Sequence, residues 1–147
     1  LVDQTDFLYI LETNGILIGH DRNYAKQLSK FRNIHVRVSL KGTNRNEFSR
    51  LTGATPEGFD LQLKALANLL QAGVPCHPAV MLSFSSMEDF NSLKIKLRGI
   101  HSTLLDHVEE EYVILFPPVV QRLKTAGIEP HTAVEPAAPY KSRYYSS

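Results

Sequence analysis

The chain of 147 residues contains a single cysteine, Cys76. It can form no internal disulfide, and it lacks the paired thiols of a zinc knuckle or a chain-bound iron–sulfur cluster. The histidines His20, His35, His77, His101, His107 and His131 form no HxH, HExxH or paired Cys/His spacing. No zinc site is indicated. No Ser-His-Asp or Cys-His arrangement stands out. Charge of one sign is also missing: the net charge is +1, which gives no reason to expect nucleic acid or an anionic membrane as partner. No apolar run approaches the ~20 residues that a membrane helix needs. No secretory pattern opens the chain, so the cytoplasm is the expected compartment. Internal repeats are absent, as is low-complexity sequence before residue 129. The first residue is Leu, and the first strand pattern starts a few residues later. This is the look of a C-terminal piece of a longer protein, and a processed or excised chain would look the same.

What is present is an ordinary globular composition, with 43% hydrophobic and 21% charged residues, enough for one domain with a core. Apolar runs at Phe7–Glu12, Ile34–Leu40, Cys76–Phe84 and Tyr112–Phe116 predict four strands buried on both faces of a parallel sheet. Helical patterns lie between them. Tyr24, Leu28 and Phe31 are helically spaced behind Asp21 as N-cap. Phe59, Leu63, Leu66, Leu69 and Leu70 form an apolar stripe, with Pro56 in the first turn and Gly73 as the stop. Ser86 caps a helix through Phe90, Leu93 and Leu97, with Asp89 three residues on. A last helix, Val119–Ala126, ends at Gly127. Strand–helix alternation predicts an α/β fold: a parallel sheet of about four βα units, too few to close an eight-stranded barrel. The domain is expected over residues 1–128. Residues 129–147, rich in Pro, Ala, Ser and Tyr, are expected to form a loosely held tail.

Ligands of parallel α/β folds bind at the C-terminal ends of the strands. Those ends carry Glu12-Thr13-Asn14-Gly15, Ser39-Leu40-Lys41-Gly42, Ser83 and Phe116-Pro117-Pro118. The second strand alternates, with Val36, Val38 and Leu40 on one face and Arg37, Ser39 and Lys41 on the other. A polar interior face implies a ligand cavity, where Lys41 would meet a carboxylate or phosphate. An exposed edge strand with a solvated face is the competing reading. Asn14-Gly15 reads equally as a tight turn. Glu12 is expected to form a structural ion pair with Arg37 or Lys41. Leu51 is expected to plug the core and Gly53 to allow a turn. His77 could face the cavity with Ala79 and Met81, while Cys76 reads as a small buried hydrophobe. Glu109-Glu110-Glu111 is expected in a solvated loop or helix end.

The combination Ser39-Leu40-Lys41-Gly42, then Phe48 and Leu51-Thr52-Gly53, then Gly73-Val74-Pro75, with Thr13-Asn14-Gly15 upstream, resembles the radical S-adenosylmethionine (SAM) enzymes. The pyruvate formate-lyase activating enzyme group is the nearest in pattern, and the match covers residues 6–85. The resemblance implies a fragment of a partial (β/α)6 TIM-like barrel, contributing part of the SAM and substrate cavity. The complete protein would cleave SAM to a 5′-deoxyadenosyl radical with a [4Fe–4S] cluster. It implies a SAM-binding role for Lys41, with Ser39 where the family often has Asp, and further roles for Thr13, Asn14 and His77. The family's CxxxCxxC loop is missing, so no stoichiometric cluster is expected on this chain alone. The Pro-Tyr-His segment that follows the last strand in the activating enzymes is missing too. Implied partners are the absent N-terminal half or a second copy, and a protein or small-molecule substrate. The alternative is a degenerate half-barrel serving as a non-enzymatic binding or assembly module.

Overall fold

The computed structural model describes residues 6–137. Among these residues the fold is α/β, with four parallel strands in the order β1-β2-β3-β4. The strands are β1 (Tyr9–Thr13), β2 (Ile34–Leu40), β3 (Cys76–Met81) and β4 (Glu109–Glu111). The helices are α1 (Ile16–His20), α2 (Asn23–Leu28), α3 (Arg45–Thr52), α4 (Glu57–Gln71), α5 (Met87–Ile100) and α6 (Pro117–Ala126). A short 3₁₀ turn at Ser102–Leu104 precedes β4.

Alternation in β2 decides the layering. Ile34, Val36, Val38 and Leu40 are buried, and the residues between them are half-buried. The buried set packs with Phe59, Leu66 and Leu69 of α4 and Phe90, Leu93 and Leu97 of α5. Helices therefore cover this face, and hydrophobic burial holds the two layers together. α1 lies on α4. Two buried amides on α4 fix that contact. Asn68 Nδ2 donates to the Ile18 carbonyl (2.8 Å). Gln62 Nε2 donates to the Asn14 and Ser39 carbonyls (2.9 and 2.7 Å) and so ties the ends of β1 and β2 to one side chain. Gly19 lets the helices approach closely, because a Cβ there would lie 2.7 Å from the Leu61 carbonyl carbon.

Several sequence expectations need correction. β1 runs from Tyr9 to Thr13 and is an edge strand. It is not buried on both faces: Phe7 is 74% exposed, and Leu8, Ile10 and Leu11 are exposed as well. β3 stops at Met81. The last strand is Glu109–Glu111, not Tyr112–Phe116 and not a solvated loop, because Glu109 and Glu111 meet Arg37 across the sheet. Tyr112–Phe116 instead runs past the end of β3, where the Val113 amide donates to Ser83 Oγ and Ile114 bridges Val134. The Phe48–Thr52 stretch is helical. Asn44 caps α3 by accepting from the Glu47 amide, and Gly53, at φ 73°, ends it. Phe48, not Leu51, is the core residue of this segment.

Asp21 accepts from the Asn23 amide at the entry to α2, which ends at Leu28 before Phe31. Ser86 caps α5 as expected, accepting from the Asp89 amide. Of the segment 129–147, residues 138–147, including Tyr140, Tyr144 and Tyr145, lie outside the described residues. His131 and Thr132 donate backbone N–H to the Ser83 carbonyl.

Candidate functional site

The sheet face opposite the helices is polar. Register places Glu12 beside Arg37, Arg37 beside His77, Ser39 beside Ala79, and Ala79 and Met81 beside Glu109 and Glu111. His77, Ala79 and Met81 thus share the face of Arg37 and Ser39. Cys76 faces the helices and packs on the core. Burial pushes its thiol up to about 12.

Arg37 is the hub. Its Nε and Nη2 form a fork on Glu109 (2.8 and 2.9 Å), Nη2 also donates to Glu111 (2.6 Å), and Nη1 donates to Glu12. A planar guanidinium suits this many-sided pairing, whereas a lysine ammonium would not. The side chain is only 14% exposed. The hydrogen bonds from Arg37, then that from His77, hold the Glu109 carboxyl down at about 2. Its carboxylate bonds to Glu109 keep Arg37 protonated against the cost of burial.

A second chain of contacts runs along the N-terminal end of this face. His35 Nε2 and His77 Nδ1 are 2.7 Å apart and share one proton, while His77 Nε2 meets Glu109 (3.1 Å). His77 has both ring nitrogens engaged, near the start of β3 and away from the C-terminal strand ends. Burial first, then His77 and His107, lowers the His35 pKa. A neutral His35 suits so close a contact between the two rings, since two cationic imidazoles would repel.

At the C-terminal end the face opens on Ser39, Lys41 and Glu111. Lys41 Nζ lies 3.7 Å from Glu111 and its side chain is 41% exposed, so it can turn toward an incoming anion. Ser39 sits two residues earlier on the same face. Thr13 pairs in register with Val38, which puts it on the helix-facing side, and its hydroxyl accepts from the Gly15 amide. Asn14 Oδ1 accepts from the Ile16 amide. Both side chains therefore shape the turn into α1. Lys41, Ser39 and the exposed loop residue Asn14 border the open end; Thr13 and His77 lie apart from it.

Sequence reasoning missed Glu109, Glu111 and His35 as members of this face. The available signal was limited to His35, which falls on the Arg37 face by the period-two alternation of β2; three consecutive glutamates offer none. It also missed Glu47, which lies beyond the ends of β2 and β3. Glu47 Oε2 accepts from the Thr43 amide (2.7 Å), the Thr43 hydroxyl (2.9 Å) and the Ser85 hydroxyl (2.7 Å). Gly42 is at φ 103°, and a Cβ there would meet the Glu47 side chain at 2.6 Å, so glycine is required twice over at this position. Compared with known proteins, the chain matches no protein-family model and no curated protein sequence.

Proposed function

We propose that this chain forms the later βα units of a radical SAM-type partial barrel, with the polar sheet face lining part of the SAM and substrate cavity. The observation that carries this reading is the one-sided cover. Helices lie on one face of an all-parallel sheet, while the other is charged, partly open and ends in Ser39 and Lys41. Parallel sheets are normally covered on both faces, and a barrel interior is one way to enclose the second.

The residues suit SAM and do not suit the cluster. Lys41 can place an ammonium on a carboxylate by exchanging its long contact with Glu111, and Ser39 can supply a hydroxyl beside it. When bound, SAM would supply the radical chemistry, and this chain would bind and orient it. A cluster needs several thiolates. Here the one thiol, Cys76, is turned to the core and held protonated. Cluster ligands would have to come from another segment.

Calorimetric titration with SAM tests the assignment. Lys41→Ala is expected to weaken binding by about 1.5–3 kcal/mol, the range for a charge-assisted hydrogen bond. Equal affinity in two folded proteins would leave Lys41 as a surface charge. A CxxxCxxC segment in the coding sequence ahead of Leu1 would be the companion observation.

The exposed apolar residues Phe7, Leu8, Ile10 and Leu11 on the β1 edge favour a second reading, a half-barrel module whose role is assembly. Such an edge recruits another strand, from an N-terminal half or from a second copy. Sedimentation velocity is expected to show concentration-dependent association of this chain. A monomer across a wide concentration range would remove the support for assembly.

A further inference from the structure

At the C-terminal end of the polar face, one carboxylate oxygen is left without a donor. Glu111 Oε2 is sealed from solvent and accepts no hydrogen bond from the described residues. Buried acceptors in native folds are almost always satisfied, so an orphan here points to a donor from outside the chain. We propose that this donor is the ammonium group of a ligand whose carboxylate Lys41 takes, so that Lys41 and Glu111 together read an α-amino acid head group. The pair rests on the reading of Lys41 as a carboxylate contact and extends it to the neighbouring group.

The residues around Glu111 cannot supply the bond. Both N–H groups of Arg37 Nη2 are committed, one to Glu109 Oε1 (2.9 Å) and one to Glu111 Oε1 (2.6 Å). Nε donates to Glu109 and Nη1 to Glu12. Lys41 Nζ, at 3.7 Å, is close enough to be attracted by Oε2 and too far to hydrogen-bond to it. Its half-exposed side chain can leave.

Charge decides what can take its place. Glu12, Glu109 and Glu111 meet only Arg37 and Lys41 as permanent cations among the described residues. When Lys41 turns to a ligand carboxylate, Glu111 keeps only its Oε1 bond to Arg37. Stripping a half-buried carboxylate of a cation is costly. A ligand with a cationic nitrogen beside its carboxylate restores both pairs at once, ammonium on Oε2 and carboxylate on Lys41. A simple carboxylate would satisfy Lys41 and leave Glu111 bare. A water molecule would satisfy Oε2 without neutralising it.

Proton–nitrogen correlation spectra of the full chain test the proposal, titrated with L-methionine and with γ-(methylthio)butyrate, the same skeleton without its amino group. The wild type is expected to bind methionine about tenfold tighter or more, the worth of one charge-assisted contact. Lys41→Ala should weaken both ligands. Glu111→Gln keeps an oxygen for Arg37; it should remove the preference and leave the affinity for the deaminated acid unchanged. A merely structural role for Glu111 would weaken both ligands alike. Equal affinities in the wild type would overturn the proposal, as would a preference retained in folded Glu111→Gln; Oε2 would then hold an ordered water only. Should Glu111→Gln fail to fold, the wild-type comparison decides alone. SAM in the same titration separates the two readings. SAM binding without a preference for methionine would keep the SAM assignment and discard the Lys41–Glu111 pair. A preference for methionine without SAM binding would do the reverse, and binding of none of the three would overturn both.

Discussion

Gly19→Ala is expected to destabilise the fold by about 3 kcal/mol or more, the upper range for forcing an atom into a filled contact. That loss should lower the melting temperature by roughly 10 °C in a domain of this size. The new methyl group would land on the carbonyl of Leu61, which is backbone and part of α4. Neither helix can yield cheaply. Asn68 holds the Ile18 carbonyl, and Gln62 holds the Asn14 carbonyl at the entry to α1. Separating the helices would strand both buried amides, at further cost. Gly99→Ala in α5 is the control, because a Cβ there meets nothing within 4 Å. It should raise stability by about 0.5–1 kcal/mol through helix propensity alone. Thermal melts of the pair would check both signs. A neutral Gly19→Ala would mean that α1 is not firmly seated on α4.

Arg37→Met should produce the second large effect, about 2 kcal/mol of lost stability at neutral pH. Removing one partner of a fully buried ion pair costs about 3–5 kcal/mol. Here Glu12 and Glu109 are substantially exposed, so water screens part of the repulsion left behind. The pH dependence is diagnostic. The folded Glu109 pKa lies at about 2, below its ordinary value of 4.5. Its contribution is therefore fully present above about 4.5 and fades as the pH falls toward 2. In Arg37→Met that depression should largely disappear, since Arg37 is its first cause. The stability difference between wild type and variant should then shrink through the same window. Denaturant unfolding at a series of pH values measures it. A difference independent of pH would assign the loss to packing rather than to charge.

Where a local pattern carried the physics, the sequence was readable. β2 matches its expected span because alternation alone separates its faces. Ser86 with Asp89, Gly73 after α4 and Gly127 after α6 punctuate the helices through short-range hydrogen bonds and positive φ. β4 was not readable, because three consecutive glutamates carry no strand signal of their own. Their balancing charge is Arg37, over 70 positions away (a separation of 72 for Glu109). The candidate site divides in the same way. Ser39 and Lys41 follow from the β2 alternation. The positions of Thr13 and His77 depend on inter-strand register, which apolar runs do not specify. Glu47 was hidden for a related reason: its donors come from two loops that only the folded sheet brings together.

The strand order has a consequence for how the molecule is made. Spatial order equals chain order, and each strand pairs with the one before it through a single intervening βα unit. No strand must wait for a later segment to be inserted between it and its neighbour. The sheet can therefore grow by accretion as the polypeptide leaves the ribosome, each unit docking on the edge left by the last. Arg37 emerges before Glu109 and Glu111. The nascent sheet carries an under-neutralised cation until the final strand arrives, and the arrival of β4 locks the polar face.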